Sequence, residues 1–113
     1  MITSIGRMFI KPGSENAAVA ALKELARKVK KEEGTLIYFV HTPDMKALSL
    51  PIASPFEVVF YEVYKDKKSL QIHLNGAFKD FTAKNKDLFQ QTNGGEIFTA
   101  FVSLSRLGGF AKQ

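Results

Sequence analysis

At 113 residues, with 45% hydrophobic side chains and 10 Phe, the chain is long enough to bury one core, too short for two domains and too apolar to be disordered. It contains no cysteine, which excludes a disulfide framework, a thiolate nucleophile and a Cys-based zinc site. The net charge of +5 comes from lysines interspersed with Glu24, Glu32, Glu33, Asp80 and Asp87, the pattern of solvated helix faces and not of a nucleic-acid-binding stripe.

The amino terminus, MITSIGRMFIKPGS, has no basic start leading into a long apolar run. No stretch approaches the ~18 apolar residues that a bilayer requires. The expectation is a soluble cytoplasmic protein with no membrane or nucleic-acid partner, built as a single domain over residues 1–113 with a long loop at 43–55 and a tail at 108–113.

Ile2 to Ile10 reads as a first strand, closed by the turn at Lys11-Pro12-Gly13. Arg7 within it is a rim charge with its stem on apolar surface, or else an anion clamp. Ser14 is placed to cap the helix that follows, in which Ala18, Leu22, Leu25, Ala26 and Val29 form one apolar stripe. Gly34 is the residue expected to turn left-handed after it. Thr35 to Thr42 is a second strand, apolar on both faces and ended by His41. The segment between Pro43 and Pro55 is too irregular for a strand; connections of this length are often lids or partner-contacting loops, and the alternative is a tolerated insertion.

Phe56 to Tyr64 is the third strand, with Phe56, Val58, Phe60, Glu62 and Tyr64 on one face and Glu57, Val59, Tyr61 and Val63 on the other. Asp66 caps a helix whose stripe is Leu70, Leu74, Ala77, Phe78 and Phe81, and Asn75-Gly76 breaks or kinks it. A last strand runs from about Glu96 to Leu107. The order β-α-β-β-α-β predicts an α+β fold, a ferredoxin-like antiparallel sheet with helices on one side. There is only enough helix to cover one face of that sheet. The other face is apolar as well, so it is expected to pack on a second copy or enclose a ligand, and a homodimer follows.

The run Tyr61-Glu62-Val63-Tyr64-Lys65-Asp66, then Ser69-Leu70 and His73, resembles the signature stretch of the antibiotic biosynthesis monooxygenase (ABM) domain. Pro12-Gly13 and Glu32-Glu33-Gly34-Thr35-Leu36 with Tyr38 are similar to that family too. The likeness extends over roughly Ile2 to Val102. It implies a dimeric α+β barrel with a pocket in each subunit between sheet and helices. Among the family's activities are cofactor-independent oxygenation of quinols and anthrones, isomerisation of a phosphorylated metabolite, and haem degradation. Haem-degrading members carry a Trp near the position of His73 and a ligating His further along; this sequence has no Trp and has Ala83 there, which disfavours haem.

A cofactor-free oxygenase must deprotonate an electron-rich phenol in a dry pocket, so that the anion itself reacts with oxygen. His73 is the best base, since its ordinary pKa of ~6.5 permits both protonation states near neutrality. Its alternative is a helix histidine bonded to backbone carbonyls. Glu62, among apolar neighbours, must be exposed, paired with a cation such as Arg7 or His73, or raised in pKa; it is the second candidate catalytic residue. Arg7, Tyr38, Tyr61, Tyr64 and Phe78 are candidates for substrate binding, with Phe78 and Phe81 reading first as core. His41 is a weaker second base. Two distant histidines make no metal site, and no cofactor is expected. The function expected is monooxygenation of quinol-like or polyphenolic small molecules, with an isomerase of a small phosphorylated ketone, or a non-catalytic binding dimer, as alternatives.

Overall fold

The computed structural model describes residues 1–113. Strand β1 (Ile2–Phe9) leads into helix α1 (Glu15–Val29), strands β2 (Thr35–His41) and β3 (Glu57–Tyr64), helices α2 (Lys67–Asn75) and α3 (Ala77–Asn85), a 3-10 turn at Lys86–Leu88, and strand β4 (Phe98–Leu104). The strands lie in the order β2-β3-β1-β4, every neighbouring pair antiparallel. The expected α+β ferredoxin-like sheet is therefore present. No helix is long and apolar enough to cross a membrane.

Period-3.6 patterning explains how α1 sits: Ala18, Leu22, Leu25 and Val29 are buried, and they meet Met8, Val58 and Phe60 from the sheet. Phe81, Phe89 and Ile97 complete that core. The opposite sheet face carries Ile37 and Phe39 of β2, Tyr61 and Val63 of β3, and Val102 and Leu104 of β4. No helix lies over it, and Ile37, Phe39, Val102 and Leu104 are exposed.

Three local expectations are corrected. Ser14 makes no side-chain cap to α1; instead Glu15 accepts the Gly13 N–H. The inner face of α2 is not the Leu70–Leu74 stripe, for its buried residues are Ser69 and His73. That is sustainable only because each polar group has a partner, Asp66 for the Ser69 hydroxyl and Glu32 for the imidazole. Asp66 also caps α2 as expected, accepting the Ser69 N–H at 2.8 Å. The break at Gly76 is real, since α2 ends at Asn75 and α3 begins at Ala77.

The third correction concerns Gly34. It is not left-handed; the positive-φ glycines are Gly13, Gly95 and Gly109. Space is what requires it, because a Cβ there would lie 1.9 Å from Ser69 Oγ and 2.3 Å from Ser69 Cβ. Gly34→Ala is accordingly expected to push α2 off the turn before β2 and to destabilise the fold by about 1–3 kcal/mol, the usual range for overpacking. Urea unfolding with the midpoint unmoved would show that the two segments separate freely.

Candidate active site

Five of the seven candidate site residues converge under α2, and two do not. Glu62 and Tyr64 face the helices from β3, and Tyr38 lies beside Glu62 in register on β2. His73 comes down from α2, one turn after Ser69. The imidazole is ringed by aromatics, its centroid 5.2 Å from Tyr38, 5.5 Å from Tyr64 and 5.8 Å from Phe78. Arg7 and Tyr61 lie on the opposite sheet face. Arg7 Nε pairs with Glu57 there at 2.9 Å, and Tyr61 stacks on Phe39. Of the two partners expected for Glu62, Arg7 lies on the other face and His73 Nε2 lies 3.9 Å from Oε1, and the hydrogen bond that Glu62 accepts comes from the Tyr64 hydroxyl. His41 is also outside the cluster, exposed, with Nδ1 3.2 Å from the Val59 carbonyl oxygen.

Glu32 has the sequence setting of a solvated helix face, and the structure places it in the cluster. Its Oε1 lies 2.8 Å from His73 Nδ1, and its Oε2 accepts the Ala77 N–H at the start of α3, at 3.3 Å. Gly76 permits that approach, since a Cβ there would come within 2.9 Å of Glu32 Oε2. The local signal Glu32-Glu33-Gly34 identified the motif but could not say which carboxylate turns inward.

The charges sort by environment. Burial pushes the Glu62 carboxyl from its ordinary 4.5 up to about 7, a rise that the hydrogen bond donated by the Tyr64 hydroxyl only partly offsets. Burial also lowers His73, and it outweighs the hydrogen bond and negative charge of Glu32, which act the other way. Near neutral pH the ring is therefore predominantly uncharged. A carboxylate can only accept a hydrogen bond, so Glu32 holds the ring proton on Nδ1. The lone pair of Nε2 is left facing Glu62 Oε1 at 3.9 Å. Tyr38 and Tyr64 are both raised, mainly by burial, and remain phenols. Two buried oxygens of the cluster, Glu62 Oε2 and the Tyr38 hydroxyl, have no hydrogen-bond partner.

His73 and Glu62 are each almost fully buried, and neither lines the main surface clefts. Contact with the cluster from outside is made through Tyr38, which lines a cleft of about 370 Å³ between α1 and β2, and through Glu32, which lines one of about 670 Å³ beside α2. No group of three or more His, Asp or Glu is arranged to hold a metal ion.

A ferredoxin-like α+β sheet, with a neutral imidazole held between carboxylates beneath its second helix, defines the class: a small domain with a buried acid–base cluster. The antibiotic biosynthesis monooxygenase family model matches residues 1–84. The chain belongs to that family. It superposes on a solved antibiotic biosynthesis monooxygenase with a TM-score of 0.76 at 22% identity, covering 96% of this chain and 100% of that one. Rv0793 from Mycobacterium tuberculosis matches with a TM-score of 0.73 at 18% identity, covering 97% and 98%. PA3566 from Pseudomonas aeruginosa gives 0.73 at 23%, covering 95% and 94%. At these identities the likeness is one of fold. No curated protein matches the sequence.

Proposed function

We propose that the protein is a cofactor-independent monooxygenase of quinol-like or polyphenolic small molecules, acting as a homodimer. The observation that carries this reading is the orientation of His73: Nδ1 is tied to Glu32, and the free lone pair of Nε2 faces Glu62 in an aromatic, water-poor enclosure. A substrate hydroxyl reaching Nε2 loses its proton there, and the resulting anion supplies the electrons that oxygen accepts. Glu62, near half-protonated at neutral pH, and the phenol of Tyr38 are the groups that would hold the substrate oxygens, and each has an unpaired polar atom to offer. Because Nε2 is enclosed, entry requires the side chains around it to move. Oxygen uptake by the pure protein over a panel of hydroquinones tests the reading, and a flat response across the panel would overturn it.

The isomerase alternative needs Arg7 or nearby lysines to hold a phosphate; Arg7 is paired with Glu57 on the other face of the sheet, which leaves Lys31, Lys65 and Lys68 of the cleft beside α2, outside the His73 enclosure. A purely passive binding pocket would need no converging polar groups, and four converge on His73.

The dimer follows from the uncovered apolar sheet face. Phe39 is 56% exposed on it and stacks on Tyr61. Sedimentation velocity is expected to find a dimer for the wild type and a folded monomer for Phe39→Glu. A variant that sediments as the wild type does would remove this face from the interface.

A further inference from the structure

We infer that Glu32 is the proton conduit of the site, carrying protons between His73 Nδ1 and the solvent-filled cleft beside α2. The inference rests on the proposed acid–base role of His73 and extends it. The buried base has two ring nitrogens, and they face different surroundings. Nε2 faces Glu62, among the rings of Tyr38, Tyr64 and Phe78. Nδ1 faces Glu32 alone at 2.8 Å. Among the three groups of this chain, His73 and Glu62 side chains are each 2% exposed, whereas that of Glu32 is 14% exposed. Glu32 is also the one that lines the open cleft of about 670 Å³, together with Lys31, Lys65, Lys68, Asp66 and Ser69.

A buried imidazole that takes a proton on Nε2 stays uncharged only if it gives up the one on Nδ1. The substrate O–H gives its proton to Nε2, the Nδ1 proton passes to Glu32 Oε1, and the products are the substrate anion, a neutral imidazole protonated on Nε2, and a neutral Glu32 carboxyl. Return of the Nε2 proton to the oxygenated product, with Nδ1 regaining its proton from Glu32, restores the starting tautomer. Between these events Glu32 exchanges its proton with water in the cleft. The carboxylate is held in place by the Ala77 N–H and admitted by Gly76. Glu32 touches no substrate atom in this scheme and is a positioning and relay residue.

The test uses the full chain labelled with 15N-histidine. Glu32→Gln retains an oxygen that accepts the Nδ1–H but cannot take the proton away. The expected result is an unchanged Nδ1–H tautomer with exchange of that proton with water slowed ~10-fold or more. In Glu32→Ala, added acetate entering the lysine-lined cleft is expected to restore fast exchange. Wild-type exchange rates in Glu32→Gln with the tautomer retained would overturn the inference. If that variant does not fold, Glu32→Asp decides: intermediate exchange supports the relay, and unaltered exchange overturns it. These readouts do not depend on turnover, so a protein inert toward every quinol would sink the oxygenase reading while the exchange rates still judge the relay. With an active quinol, Glu32→Gln is expected to lower kcat with KM little changed, and acetate to restore kcat in Glu32→Ala.

Discussion

His73→Ala is expected to lower oxygen uptake with an active hydroquinone by roughly 10²–10⁴-fold, the usual worth of a positioned general base. The loss should fall mainly on kcat, because the ring faces the reacting proton and Glu62, Tyr38 and Tyr64 still line the enclosure. The pH profile adds a second check. Burial lowers the His73 pKa below its ordinary 6.5, so the rising limb of the wild-type rate that belongs to this base should be centred below pH 6.5. A limb centred above pH 6.5 would assign the base to another group. Uptake by His73→Ala equal to that of the wild type would remove the imidazole from the mechanism altogether.

The second large effect concerns stability. Glu62 titrates at about 7 in the folded chain against an ordinary 4.5. Its folded pKa is raised, so the folded state holds the extra proton between those values. The corresponding stability is present below about pH 4.5 and is lost as pH rises toward and through 7. Above that, the buried carboxylate is charged and costs about 3 kcal/mol, an order-of-magnitude figure from the size of the shift. Glu62→Gln keeps the shape and an acceptor for the Tyr64 hydroxyl without the charge. It is expected to match the wild type at pH 4.5 and to exceed it by about 3 kcal/mol at pH 8, measured by urea unfolding.

The carboxyls of Glu15, Glu24 and Asp66 are lowered by their hydrogen bonds, so they lend stability at higher pH that is lost as acid protonates them. His73, lowered as well, gains stability with rising pH up to its ordinary 6.5. All four are present in both proteins, and the difference between wild type and variant isolates Glu62 apart from its coupling to His73. Equal stability of the two at pH 8 would mean that Glu62 is solvated or ion-paired there.

Both residues were legible in the sequence as titratable groups, and the structure brings them together. Glu62 stood out because a carboxylate on the inward side of an apolar strand has few tolerable environments. His73 stood out as a titratable group one helix away. Strand alternation correctly placed Glu62 and Tyr64 on one face and Tyr61 on the other. The same alternation left Arg7 ambiguous, because a strand of mixed neighbours does not say which of its faces receives the helices. Glu32 was missed for a similar reason. It follows a helix among charged residues, and nothing local distinguishes a carboxylate turned outward from one turned inward to an imidazole 41 positions along the chain.

The amino-acid sequence by itself determined the element order, the antiparallel α+β sheet and the single covered face, because period-2 and period-3.6 patterning and turn chemistry are local properties that survive in one dimension; the family was legible separately, in the motif resemblance of Tyr61 to His73. Tertiary structure alone decided the pairings: Arg7 with Glu57, Glu62 with Tyr64, and His73 between Glu32 and Glu62. It also decided that Gly34 and Gly76 are required for space and not for a left-handed backbone. Those outcomes depend on side-chain reach and burial across elements far apart in sequence, and burial in turn sets the pKa values on which the chemistry of the cluster rests.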